Sequence, residues 1–268
     1  MSEFKTIYDH LGREISYSYP PKRIISTVPS ISETLGDLNL ELEVLGVTRF
    51  CVHPSHWKKE KTIIGGTKRL DFTRISNLNP DLLIGIKEEN VKPQVDEIAA
   101  KFPYWIGDVN SFNDNYRLIS DLGALCNRED EAESILKNTK KVIESLKNGL
   151  KRKAKVLYFI WRGPYMLAGN NTYINSFLEE LGFENAAKKL HGRYPKTDVE
   201  QIKLLDFDFI LLSSEPFPFN QLHAQELKVN FPDKTILFVD GEIFSYYGSR
   251  VSKEKEYLSA FISEVNKY

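Results

Sequence analysis

The stretch Asn127–Lys153, NREDEAESILKNTKKVIESLKNGLKRK, decides the architecture. Its apolar residues Ala132, Ile135, Leu136, Val142, Ile143, Leu146 and Leu150 recur at a 3.6-residue period and form one stripe on a helix. Asn127 stands where an N-cap is expected, and Asp130 follows in the first turn, where an acid suits the positive end of the helix dipole. Lys147, Lys151, Arg152, Lys153 and Lys155 place cations at the other end. About 23 residues at 1.5 Å each make a helix roughly 35 Å long. Placed mid-chain, such a helix is suited to bridge two lobes, here expected at 1–126 and 154–268 with the bridge over 127–153.

Working outward, strands and helices alternate on both sides. Upstream, Thr6–Tyr17 reads as a hairpin around Asp9-His10-Leu11-Gly12. A strand over Arg23–Val28 leads into a helix with Ser30 as N-cap and Glu33 at capping-box spacing. Strands at Val44–Val47, Asp81–Gly85 and Tyr104–Ile106 interleave with helices at Ile75–Leu78, Pro93–Ala100 and Asp114–Leu125. Downstream, strands at Ala154–Trp161, Phe209–Leu212 and Thr235–Val239 interleave with helices at Thr172–Leu181, Val199–Leu204, Gln221–Val229 and Val251–Val265. The alternation predicts an α/β chain of two lobes with mostly parallel sheets.

Composition narrows the function. Lys and Arg total 36 against 37 Asp and Glu, so the net charge of -1 gives no field that would draw nucleic acid or an anionic membrane. No segment approaches the roughly 18 apolar residues of a membrane span. The stretch from Met1 to Pro20 lacks the apolar run of a secretory leader, which predicts a cytoplasmic protein, or a periplasmic one if a leader has been removed. Cys51 and Cys126 read as two buried reduced thiols. The 5 histidines fall in no metalloprotease or hydrolase motif, and no phosphate-loop pattern is present, so the chain reads as a non-enzyme.

Candidate binding residues gather where loops leave predicted strands, the end of an α/β sheet at which ligands bind. Cys51, His53 and His56 form the one cluster of soft metal ligands, against the plainer reading of a loop with histidines in it. Lys68 follows Gly65-Gly66-Thr67 and can reach an anionic group; Glu88 lies in the charged run Lys87-Glu88-Glu89-Asn90. Trp161-Arg162-Gly163-Pro164-Tyr165 offers flat contact area and a guanidinium fork. Glu215-Pro216-Phe217-Pro218-Phe219 leaves the next strand in the same way. The last loop, Asp240–Arg250, carries Tyr246 and Tyr247, which can stack on a planar ligand, and Arg250, which can pair with an acid on it.

The order of these motifs resembles the helical-backbone (class III) periplasmic-type solute-binding proteins, the helical backbone metal receptor superfamily, and most of all its cobalamin-binding branch. The resemblance is carried by Asp9-x-x-Gly12-Arg13, Pro21-x-Arg23-Ile24-Ile25-Ser26, Pro29-Ser30-x-Ser32-Glu33-Thr34-Leu35, Leu45-Gly46-Val47-Thr48, Ile64-Gly65-Gly66-Thr67 and Leu78-x-Pro80-Asp81-Leu82-Leu83-Ile84. In the second half Leu204-x-x-Phe207-Asp208-Phe209-Ile210-Leu211-Leu212 is the counterpart of the Pro-Asp strand.

That resemblance implies two lobes on one helix, a metal chelate held between them, and no intrinsic cofactor. A corrinoid (cobalamin) is the expected ligand, with haem or a ferric siderophore as alternatives and His53 as a contact to the bound metal. It also implies docking on an ABC permease through an acid on each lobe. Asp198-Val199-Glu200-Gln201-Ile202 supplies Glu200, whereas Asp71-Phe72-Thr73-Arg74-Ile75 has Thr73 at the matching place. An intracellular carrier, an enzyme acting on a metal-bearing cofactor through His53, and a sensor are the other readings. A monomer is expected.

Overall fold

The computed structural model describes residues 3–268, so Met1 and Ser2, part of the stretch read for a leader, lie outside the described residues. The chain divides into two compact units. The first runs through Val109 and takes up Asn113–Thr139 and Tyr246–Lys253; the second comprises Asn110–Phe112, Lys140–Ser245 and Glu254–Tyr268.

The first unit opens with the predicted hairpin, Glu3–Tyr8 against Glu14–Tyr19, antiparallel. Asp9 organises its turn: one carboxylate oxygen accepts from the backbone N–H of Leu11 and Arg13, and the other takes the Arg13 guanidinium at 2.6 Å. A five-stranded parallel sheet follows, in the order Thr62–Ile63, Val44–Val47, Ile24–Ser26, Leu82–Ile86, Tyr104–Gly107. Its central strands are buried along their whole length, which is why they read as apolar runs without alternation. Ile25, Ile64, Ile75, Leu83, Tyr104 and Ile106 belong to one core beside that sheet.

The second unit holds a sheet in the order Lys196–Thr197, Tyr165–Leu167, Lys155–Trp161, Phe209–Ser213, Thr235–Val239. The last three strands are mutually parallel and the first two are added antiparallel. Its core gathers Leu157, Phe159, Ile202, Phe207, Ile210 and Leu212. The α/β class with mostly parallel sheets is what the alternation predicted.

Two local expectations change. The mid-chain helix spans Glu129–Leu146, 18 residues or about 27 Å, and is shorter at both ends than the stripe implied. Asn127 takes the left-handed conformation (φ 57) that closes the preceding helix Phe112–Cys126, and Asn148 (φ 61) does the same after Leu146. Helix Pro29–Asp37 starts from Val28 with no side-chain cap, so Ser30 and Glu33 do not form a capping box. Pro at the first turn fills that role, and Glu33 turns to another task. Residues 129–139 of the helix cluster with the first unit and 140–146 with the second, and Tyr246–Lys253 rejoins the first.

Candidate functional site

Loops at the carboxyl ends of the parallel strands are held very differently in the two units. In the first, the buried Asn90 fastens them. Its side-chain oxygen accepts from Thr27 Oγ1 at 2.9 Å and from the Ile86 N–H at 3.1 Å, and its amide donates to the Thr67 carbonyl at 3.1 Å. Three strand ends are thereby tied by one side chain that the sequence shows only as the tail of a charged run. Lys68 donates to the Glu88 carbonyl at 2.6 Å, and the Tyr247 hydroxyl donates to the Glu88 carboxylate at 2.8 Å. Lys68, Glu88 and Tyr247 are thus brought together. Beside them, burial pushes the Glu89 carboxyl above the ordinary carboxylate range, against the nearby Lys68 ammonium, which pulls it down.

Tyr246 and Tyr247 are 8% and 6% exposed, and the Arg250 guanidinium lies over the Tyr246 ring at 5.6 Å. Arg250 Nη2 stands 3.0 Å from Oε2 of the buried Glu33, at an angle that makes an ion pair rather than an aligned hydrogen bond. Lys253 reaches Glu33 at 2.7 Å and Asp37 at 2.6 Å, and Ser249 donates to Asp37 and takes Thr34 Oγ1 at its backbone N–H. Gly248 (φ 88) allows this docking: a Cβ there would lie 1.9 Å from Thr34 Oγ1. Asn115 closes the turn by accepting from the Gly248 N–H and donating to its carbonyl. Glu33 and Arg250 are thus among the contacts that hold Tyr246–Lys253 against helix Pro29–Asp37.

Cys51, His53 and His56 do not come together as one ligand group, in line with the plainer reading of that loop. Cys51 is buried and its thiol donates weakly to the His53 carbonyl at 3.5 Å, while His56 turns to Glu41 at 3.0 Å. Glu41, His56 and Glu60 come within 4.8 Å of one another, yet Glu41 already accepts from Trp57 Nε1 at 2.7 Å and has the Lys61 ammonium at 3.7 Å. His53 belongs to no such group among the described residues. Cys51 and Cys126 are both free and buried, as expected, and burial pushes the Cys126 thiol up to about 12.

The second unit presents an open aromatic edge. Trp161 ends its strand 41% exposed and packs edge-on against Phe217 at 5.6 Å. Phe217 meets Phe219 at 4.8 Å and the His223 ring at 5.2 Å. Arg162 pairs with Glu226 at 2.6 Å, and the Tyr165 hydroxyl donates to the same carboxylate at 3.4 Å. Glu215 accepts from Ser245 Oγ at 2.9 Å. Trp161, Arg162, Tyr165 and Phe217 are therefore brought together around two residues the sequence reading did not place there. His223 and Glu226 lie three apart on helix Gln221–Asn230 and so share a face; that spacing was the available signal.

The family model described as periplasmic binding protein matches residues 24–231. The chain belongs to that family. Among its relatives is the ABC transporter substrate-binding lipoprotein YvrC of Bacillus subtilis, 26% identical over 74% of this chain and 66% of that protein. The high-affinity heme uptake system protein IsdE of Staphylococcus aureus is 24% identical over 78% of this chain and 73% of its own. The vitamin B12 binding protein BtuF of Vibrio cholerae superposes with a TM-score of 0.77 at 15% identity, over 93% of this chain and 99% of that one.

Within this periplasmic binding protein, the two expected docking segments fold alike. Asp71 caps helix Phe72–Leu78 by accepting from the Arg74 N–H, and Asp198 caps helix Val199–Lys203 by accepting from the Gln201 N–H. Thr73 and Glu200 hold equivalent, exposed positions in the first turn. Asp71, the one acid near Thr73, is committed as a cap and pairs with Arg74 at 3.2 Å. Glu200 pairs with Lys203 at 2.8 Å on the surface. No helix among the described residues is long and apolar enough to cross a membrane.

Proposed function

We propose that this protein is a non-catalytic substrate-binding component of an ABC-type importer, and that it carries a large metal chelate. The observation that carries the reading is the exposed edge Trp161–Phe217 at the strand ends of the second unit, flanked by Arg162 and Tyr165. Flat rings with a polar rim suit a ligand that offers an apolar face and peripheral polar groups. A corrinoid is the preferred ligand, and haem or a ferric siderophore the alternative; relatives that bind vitamin B12 and that take up heme both support the class. Glu200 is the proposed contact to the permease, with Thr73 leaving the other contact uncharged. An importer's binding component works on the outer side of the membrane, so this reading replaces the cytoplasmic placement expected from the first twenty residues.

The test is a titration of the protein with cyanocobalamin, hemin and a catecholate ferric siderophore, followed by tryptophan fluorescence. Of the 3 tryptophans, Trp57 and Trp105 are 0% and 1% exposed; the chelates quench all three by energy transfer, so quenching reports binding and its loss in Trp161→Phe reports the share of Trp161. Saturable quenching by one chelate, with a matching rise in melting temperature, supports the reading. Absence of binding by all three refutes it.

A further inference from the structure

We infer that His223 is a specificity-determining residue of the second unit's aromatic edge, a neutral imidazole that offers its Nε2–H to an acceptor oxygen on the ligand's periphery. This rests on the binding reading above and adds the polar chemistry that the edge selects. His223 is the third residue of helix Gln221–Asn230, and its Nδ1 accepts from the Asn220 backbone N–H at 3.1 Å. Asn220 answers by accepting from the N–H groups of Leu222 at 3.0 Å and His223 at 3.4 Å. A backbone N–H only donates, so Nδ1 holds a lone pair there and the neutral ring carries its proton on Nε2. The capping box thereby fixes the tautomer.

Nε2 makes no hydrogen bond among the described residues, and the half-buried ring packs against both Phe217 at 5.2 Å and Phe219 at 5.8 Å. Phe217 in turn contacts the exposed Trp161. The cap itself does not need histidine: Glu and Gln make the reciprocal bond at this position and are better helix formers. Histidine adds what they lack, a flat ring that continues the aromatic edge and ends in a single oriented donor. The same tautomer excludes axial ligation, since coordination needs a lone pair at Nε2. Glu226, one turn on, is already paired by Arg162 and Tyr165, which compensates its charge. The chemistry selected is a peripheral carboxylate or carboxamide oxygen of the chelate.

Two substitutions separate the donor from the cap. His223→Glu keeps the capping acceptor and removes the donor, while His223→Gln keeps both an acceptor and an N–H. Melting temperature checks that both variants retain the helix start. Titration of parent and variants with cyanocobalamin, whose periphery carries carboxamides, and hemin, whose periphery carries carboxylates, gives the readout. The expected result is a loss of about tenfold or more in affinity for His223→Glu and a change within about threefold for His223→Gln, against one of the two ligands. Which ligand responds identifies the oxygen. Equal affinity of parent and His223→Glu overturns the inference and leaves the binding reading standing. Equal losses in both variants overturn it in favour of ring stacking, and a shifted hemin Soret band in His223→Gln overturns it in favour of metal ligation. If the parent binds neither ligand, the inference falls with the chelate it names.

Discussion

Replacing Arg250 by Met should destabilise the protein by about 2–3 kcal/mol while leaving chelate affinity within about twofold. Glu33 and Arg250 are 3% and 8% exposed, and their charged atoms stand 3.0 Å apart. Removing one partner of a buried pair costs about 3–5 kcal/mol, because the other charge is left desolvated. Here Lys253 stays 2.7 Å from Glu33, but its side chain is 42% exposed, so it compensates only part of that charge. Loss of the cation over the Tyr246 ring adds about 0.5–1 kcal/mol, and Met preserves the packing of the stem. For a chain of this size each kcal/mol moves the melting temperature by about 2–4 °C, so a drop of about 4–12 °C is expected. Combining it with Glu33→Gln should cost less than the sum of the two, by about 1–3 kcal/mol, since both remove the same contact. A melting temperature unchanged within about 1 °C, together with a large loss of affinity, would refute this account and return Arg250 to the ligand.

Gly248→Ala should cost about 3 kcal/mol or more by thermal melting, because it combines a left-handed backbone with a Cβ placed on Thr34 Oγ1; a neutral result would mean the turn is not clamped. Glu89→Gln tests the half-buried carboxyl: its raised pKa means that Glu89 favours folding below the unfolded carboxylate range and loses that contribution as pH rises through the folded value. Gln mimics the neutral form, so the variant should melt above the parent near pH 7 and match it near pH 4; the opposite trend would show the carboxylate to be stabilised by its neighbours. Trp161→Ala should weaken chelate binding about ten- to a hundredfold, roughly 1.4–2.7 kcal/mol, with little change in melting, and unchanged affinity would remove Trp161 from the site. Glu200→Lys should abolish delivery to reconstituted permease with chelate affinity intact, and full transport by the variant would dismiss docking through Glu200.

The periodicity of Ala132–Leu150 announced a helix but not its ends. Those were set by Asn127 and Asn148, whose short amides tolerate the left-handed turn at which an apolar stripe alone gives no signal. Trp161, Arg162 and Phe217 were legible as residues of two loops that leave neighbouring strands, while their packing together, with Tyr165 at the start of the next strand, was not. Lys68, Glu88 and Tyr247 were legible singly, and what joined them was a hydrogen bond between residues 159 positions apart. His223 and Glu226 went unread since nothing in a solvated helical face tells which strand end it will cover.

The sequence by itself determined the α/β class, the order of the elements and the family, because these follow from local periodicity, turn chemistry and motif order. Tertiary structure alone decided what the polar residues do. Glu33 has the spacing of a capping-box acid, yet the fold buries it 3.0 Å from the Arg250 guanidinium, more than 200 residues along the chain. A charge buried without a partner is costly, so its role is fixed by whichever opposite charge the fold delivers to it. That delivery depends on long-range packing, which no local pattern encodes.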